Sequence, residues 1–139
     1  MRSTYLILMV GLPRSGKTTW ARQQPFPIVN PDSLRLAIHG EAFKKSEEGL
    51  VWWTARKMVE ALFIAGHARV ILDATNVKKA TRDNWKSDMW DVYYKPILTP
   101  LDTCLHRAAE VEFPVDVIYR MHEELEPLDD EEREYIWHG

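Results

Sequence analysis

Eight consecutive residues, Gly11-Leu12-Pro13-Arg14-Ser15-Gly16-Lys17-Thr18, carry the most legible chemistry in this chain. They satisfy the pattern G-x-x-x-x-G-K-[ST], in which glycines let the backbone curl until its N–H groups point inward at phosphate oxygens. The helix expected to follow adds the positive end of its dipole. In such a loop the lysine reaches the β- and γ-phosphates of a nucleoside triphosphate and the threonine hydroxyl faces Mg²⁺. Those tasks fall to Lys17 and Thr18, with Gly11, Pro13, Arg14, Ser15 and Gly16 completing the expected nucleotide loop. Arg14 either touches phosphate or points to water. ATP and Mg²⁺ are the expected cofactors, although no base-reading residue stands out to select ATP over GTP.

Two further groups fall where a ligand crevice should open. Asp32 and Arg35 are three apart at an expected helix start, so they share one face. A carboxylate there can take the proton of an attacking hydroxyl, while the arginine holds the carboxylate or the acceptor. The other reading is that Asp32 only complements the helix dipole. Asp73 follows an expected strand in Asp73-Ala74-Thr75-Asn76 and is placed to help hold Mg²⁺, with Asn76 a candidate cap for the next helix. Lys78, Arg82 and Lys86 recur every four residues beside Lys79 and Trp85. That stripe either follows a phosphate backbone or is a solvated helix face. Arg107 is a candidate lid arginine over the transferred phosphate, or a C-terminal arginine facing its own helix dipole. Of the neighbours Trp52 and Trp53, at most one is expected in the core, leaving the other open to stack on a base.

The elements that must position these residues follow from the pattern of apolar runs and breakers. Tyr5–Val10 is a continuous apolar run ending at Gly11, as in a strand buried on both faces of a parallel sheet. A helix should begin near Lys17 and stop before Pro25-Phe26-Pro27, followed by a short strand at Ile28-Val29. Asn30 as cap and Pro31 at the first helical position open a helix to about Ile38. Residues 40–45 read as a loop. Ser46, Glu47 and Glu48 start a long helix with an apolar stripe of Val51, Ala55, Met58, Val59 and Leu62, capped near Gly66. Strands are expected at Val70–Leu72 and Val92–Leu98, and helices at Lys78–Met89, Leu101–Ala109 and Val115–Leu125. This alternation predicts an α/β fold, a three-layer P-loop sandwich with a mainly parallel sheet of four or five strands and a small helical lid.

Composition narrows the class. The 139 residues suit one domain, with 45% hydrophobic and 28% charged residues, ordinary for a globular protein. No apolar run approaches the ~20 residues of a membrane span, and no signal peptide is expected. A single cysteine, Cys104, excludes a disulfide framework and makes a cytoplasmic home the expectation. The five histidines are scattered without zinc-ligand spacing. The net charge of −3 hides an asymmetry: residues 1–100 carry 15 Lys/Arg against 9 Asp/Glu, and residues 101–139 carry 3 against 12. A polyanionic ligand should therefore meet the first part and avoid the acidic tail.

Taken together, the P-loop, N-x-D-x-x-R at Asn30–Arg35, D-x-T-N at Asp73–Asn76 and a helix ending in Arg107 resemble the kinase domain of phage-type polynucleotide 5′-kinases. They are similar also to the wider group of small P-loop kinases that includes zeta-toxin-like kinases. Pro114-Val115-Asp116-Val117-Ile118 resembles the P-x-D-V stretch after the lid, so the likeness spans nearly the whole chain. The resemblance implies that Asp32 is the general base, Arg35 contacts the acceptor's phosphate, Asp73 belongs to the magnesium and acceptor region and Arg107 is a lid arginine at the β- and γ-phosphates. Two departures stand out. Ala108-Ala109-Glu110-Val111 lies where that family has a second lid arginine, and the phosphatase domain of the phage enzyme has no counterpart in these residues. The expected function is γ-phosphate transfer from ATP to a hydroxyl, the 5′ end of a polynucleotide ahead of a small molecule or nucleoside. A nucleotide switch with little catalysis is the third reading, and the candidate base argues against it.

Overall fold

Alternation along the first strand dictates a layered structure. In the computed structural model, which describes residues 3–40 and 48–139, every residue from Leu6 to Val10 is buried. A strand with no solvent face needs cover on both sides. Leu6, Leu8 and Val10 pack against Ala55, Val59, Trp85 and Trp90 on one face, while Ile7 and Met9 meet Ala21, Trp20 and Phe26 on the other. The order is β1 (Tyr5–Val10), α1 (Lys17–Arg22), β2 (Ile28–Val29), α2 (Pro31–His39), α3 (Glu48–Ile64), β3 (Arg69–Leu72), α4 (Lys79–Asp83), β4 (Asp91–Pro96), α5 (Leu101–Glu110), α6 (Val115–Glu124) and α7 (Asp130–Arg133). The described strands form one parallel sheet, β2-β3-β1-β4. Leu8 pairs with Leu72 and Val10 with Pro96, so the loops leaving β1, β3 and β4 emerge side by side. Helices α5 and α6 pack through Cys104, Ala108 and Ile118 onto Leu12 of the first loop. Among the described residues no helix is long and apolar enough to cross a membrane.

Most expected elements are present, with local corrections. The expected loop at 41–45 and the helix start at Ser46 and Glu47 lie outside the described residues. On α3 the buried stripe is Val51, Ala55, Val59 and Phe63, and Met58 faces solvent. Gly66 caps the helix at φ +107°, with its N–H bonded to the Phe63 carbonyl. Strand β4 starts one residue earlier and ends at Pro96, leaving Leu98 exposed. Helix α4 stops at Asp83, well short of Met89. The reason is that Trp85 and Trp90 are both buried, with the Trp90 indole N–H donating to the Trp85 carbonyl at 2.7 Å. Residues five apart on a regular helix diverge by about 140°, so a continuing helix would expose one of them.

The basic stripe at Lys78, Arg82 and Lys86 is the largest correction, since only Arg82 lies within α4. Arg82 is fully buried. Its Nε and Nη2 meet the Glu132 carboxylate at 2.8 and 3.1 Å, and its Nη1 donates to the carbonyls of Asn76 and Val77. Glu132 is itself fixed in a capping box with Asp129 at the start of α7, a helix the sequence pattern did not reveal. Around this pair Lys78 meets Glu124 at 3.9 Å, Lys79 meets Asp129 at 3.0 Å, and Lys86 meets Asp83 at 3.6 Å. Beyond α7 the chain runs along the outer edge of β4, where the Tyr94 N–H donates to the Tyr135 carbonyl and the Trp137 N–H to the Tyr94 carbonyl.

Breaking one half of a buried ion pair strands the other charge. Arg82→Ala is therefore expected to lower stability by about 3–5 kcal/mol, read as a fall in the urea midpoint at constant slope. A midpoint equal to wild type would mean that the pair does not hold α4 to α7.

Candidate active site

The first loop is shaped by close contact as much as by glycine freedom. A Cβ on Gly11 would stand 2.7 Å from the Ile97 carbonyl oxygen and 3.0 Å from Ser15 Oγ, too close for any side chain without a backbone shift. Gly16 adopts φ +104°, in the left-handed region where glycine is favoured. The loop is tied to its neighbours by Gly11 N–H to the Thr75 carbonyl (3.0 Å) and by Thr99 Oγ1 to the Ser15 carbonyl (2.6 Å). Thr99 carried no signal in the sequence.

Lys17, the first residue of α1, is buried, and its Nζ donates to the Leu12 carbonyl at 2.7 Å and to Ser15 Oγ at 3.4 Å. Burial lowers its pKa to about 8, against the opposing pull of Asp73, Cys104 and Asp32. Thr18 Oγ1 donates to Asp73 Oδ2 at 2.7 Å, and Asn30 Nδ2 donates to the same oxygen at 3.1 Å. Asn30 does double duty, because its Oδ1 accepts from the N–H groups of Asp32 and Ser33 and so caps α2. Sequence reasoning found the cap and missed the bond to Asp73. Asn76 shows the converse. It caps nothing; from φ +46° its buried Nδ2 donates to the Met9 carbonyl at 2.8 Å, stitching the exit of β3 to β1.

Thr18 and Asp73 offer hard oxygen donors, which suit Mg²⁺. Among the described residues no group of three or more His, Cys, Asp or Glu side chains is placed to cage a metal.

At the start of α2, Asp32 remains 76% exposed while the Arg35 side chain beside it is only 14% exposed. Arg35 Nη1 meets Asp32 Oδ1 at 2.5 Å, and its Nε and Nη2 grip Glu48, the first residue of α3, at 3.0 and 2.5 Å. Burial opposes the guanidinium charge, but the hydrogen bonds and charges of Glu48 and Asp32 outweigh it and raise its pKa. The Glu48 carboxyl is held low by its bond to Arg35. The guanidinium lies 5.9 Å from the Trp52 ring centroid. Trp52 packs on the core and Trp53 is exposed, in keeping with one inward indole.

Across the loop, Arg107 Nη1 donates to the Arg14 carbonyl at 3.2 Å. With Arg14, Ser15, Gly16, Lys17, Thr18 and Thr19 it lines an open pocket of about 380 Å³. Asp32 and Arg35 do not line this pocket. Their helix is tied to it indirectly: Asn30, which caps α2, bonds to Asp73, and Asp73 accepts from Thr18 in the pocket wall.

Residues 6–128 match the family model described as an AAA domain. The chain belongs to that family. Among solved structures, it resembles a chain of the Pnkp1/Rnl/Hen1 complex at 26% identity and TM-score 0.67, over 75% of this chain and 38% of that one. A chain in the Pnkp1/Rnl/Hen1 RNA repair complex matches at 19% identity and TM-score 0.65, over 88% and 46% respectively. This AAA-domain chain thus spans less than half the length of those two. A gluconokinase from Sinorhizobium meliloti matches at 16% identity and TM-score 0.61, over 94% of this chain and 80% of that one. The fold is that of a small P-loop kinase-like domain.

The low pKa of Lys17 has a measurable sign. Below pH 8 the lysine carries its proton before and after a triphosphate arrives. Above about pH 8 the unliganded protein has lost that proton, and the bound phosphates restore it. Triphosphate affinity is therefore expected to fall by up to about tenfold per pH unit between 8 and 10. At about pH 9 binding should take up close to one proton, read by calorimetry in two buffers of different ionisation enthalpy. Equal heats in the two buffers would contradict the assignment, and Lys17→Met should show no uptake.

Proposed function

We propose that this chain is an ATP-dependent phosphotransferase that moves the γ-phosphate to an alcohol. The observation that carries the proposal is the convergence of Thr18 and Asn30 on one oxygen of Asp73. It joins the P-loop to the helix that presents an exposed carboxylate, Asp32. In this reading Lys17 places its charge at the β- and γ-phosphates, and Arg107, already on the loop, closes over the transferred group. Thr18 and Asp73 would hold Mg²⁺, which when bound neutralises charge on the phosphate oxygens. Asp32 accepts the proton of the acceptor hydroxyl as its oxygen bonds to the γ-phosphorus. The bond from phosphorus to the β–γ bridging oxygen breaks, and ADP leaves. Arg35 holds Asp32 in position through its Nη1.

Two acceptor classes have support. The 5′-hydroxyl end of a polynucleotide draws on the likeness to a chain of the Pnkp1/Rnl/Hen1 complex. A small alcohol is favoured by a specific observation: the two arginines that sequence reasoning offered to nucleic-acid phosphates are both engaged by carboxylates, Arg35 by Asp32 and Glu48 and Arg82 by Glu132. The geometry favours the small alcohol.

Lys17→Met is expected to leave the fold intact and abolish transfer, since the loop loses its point charge on the phosphates. Normal turnover in the folded variant would sink the phosphotransferase reading. Asp32→Asn separates a base from a dipole complement. A base predicts unchanged ATP affinity and a fall in single-turnover transfer of about 10²–10⁴-fold. A dipole complement predicts an unchanged rate and a stability loss of about 0.3–1 kcal/mol. A panel of alcohols and 5′-hydroxyl oligonucleotides with labelled ATP decides the acceptor. An oligonucleotide used better than every small alcohol would return the assignment to the polynucleotide end.

A further inference from the structure

We infer that Glu48 sets the acceptor class: by filling the guanidinium fork of Arg35, it bars acceptors that carry a phosphate beside the reacting hydroxyl. The inference rests on the reading above that the start of α2 faces the acceptor. A guanidinium receives a carboxylate or a phosphate through the same planar fork of N–H donors. Here the Nε and Nη2 side of that fork is given to the two oxygens of Glu48, at 3.0 and 2.5 Å, and Nη1 is given to Asp32. An incoming phosphate would have to displace Glu48.

Displacement meets resistance from charge and from packing. Asp32 and Glu48 together outweigh the single positive charge of Arg35, and Asp73 adds a further carboxylate one amide away through Asn30. Even with Lys17, which feels both Asp32 and Asp73, the carboxylates outnumber the cations in this group, and like charges repel a phosphate. The Arg35 and Glu48 side chains are 14% and 22% exposed, so solvent screens the pair only in part. Trp52 beside the guanidinium limits its freedom to swing out. Asp32 keeps its Oδ2 without a protein partner among the described residues, open to the hydroxyl of an uncharged acceptor. Glu48 thus acts through Arg35 as a specificity-determining residue.

The test asks whether removing Glu48 releases an anion site. With the P-loop filled by Mg²⁺ and a non-hydrolysable ATP analogue, binding of inorganic phosphate is titrated calorimetrically to wild type, Glu48→Gln, Glu48→Ala and Glu48→Ala with Arg35→Ala. The expected result is no resolvable second-site binding in wild type and a gain of about tenfold or more in Glu48→Ala, abolished again in the double variant. Glu48→Gln, which keeps the shape and loses the charge, should show a smaller gain. Should Glu48→Ala melt early, the Glu48→Gln gain decides alone. Two results overturn the inference: phosphate binding in wild type that needs Arg35, or no gain in a folded Glu48 variant. Failure of the kinase reading looks different. Wild type would then transfer phosphate to no alcohol while the phosphate gain at position 48 persists.

Discussion

Neighbouring parallel strands must release their chains at the same edge of the sheet. Here β1 and β3 lie side by side, with Leu8 opposite Leu72, so the phosphate loop and Asp73 leave the sheet together. The 2.7 Å bond from Thr18 to Asp73 closes that gap between residues 55 apart in sequence. Almost everything else at the site hangs from this junction. Asn30 reaches the same carboxylate from β2, the next strand out, and brings the start of α2 with it. Asn76 and Thr75 bind back to β1 and Gly11, fixing the spacing between the two exits. From the opposite side β4 sets a wall, with the Ile97 carbonyl so near Gly11 that the loop has a single path.

Electrostatics divide the molecule differently from the way the sequence suggests. The basic first hundred residues and the acidic remainder look like a patch awaiting a polyanion, yet much of that charge is answered internally. Residues 124–132 supply Glu124, Asp129 and Glu132 to Lys78, Lys79 and Arg82. Cation–carboxylate pairing on this scale spends the positive face on self-docking. Around the phosphate loop the positive charge is local: Arg14 and Arg107 line its pocket, beside Lys17.

The parts of the fold that are legible in sequence are those with local causes. The loop, the first strand and the Asn30-Pro31 helix start each rest on a backbone requirement that one short stretch satisfies, and each is where the pattern placed it. Asp73 stands out in the sequence as a carboxylate at a strand end, and the structure bonds it to Thr18 of the loop. The misses are long-range. No periodicity announces that Arg82 meets Glu132 fifty residues later, and a four-residue spacing of cations reads the same whether the middle one is solvated or sealed in. Glu48 reads in sequence only as part of a helix start, because its partner Arg35 sits on another helix thirteen residues earlier. The early end of α4 was hidden for a related reason, since only the tertiary burial of Trp85 and Trp90 forbids another turn.

The path of residues 135–137 beside β4 bears on how the molecule behaves in company. A parallel sheet ends in two strands whose outward amides and carbonyls are templates for any extended chain that drifts past. On one side the template is short, since β2 has only two residues. On the other, Tyr94 spends its outward N–H on Tyr135 and its carbonyl on Trp137, so the chain's own segment occupies the seat. Tyr5, Tyr93 and Trp137 cluster about it with centroids 5.0–6.4 Å apart, clasping the segment in place. At Tyr94 the edge of β4 has in this sense already accepted a guest, which leaves less open template there for strand exchange.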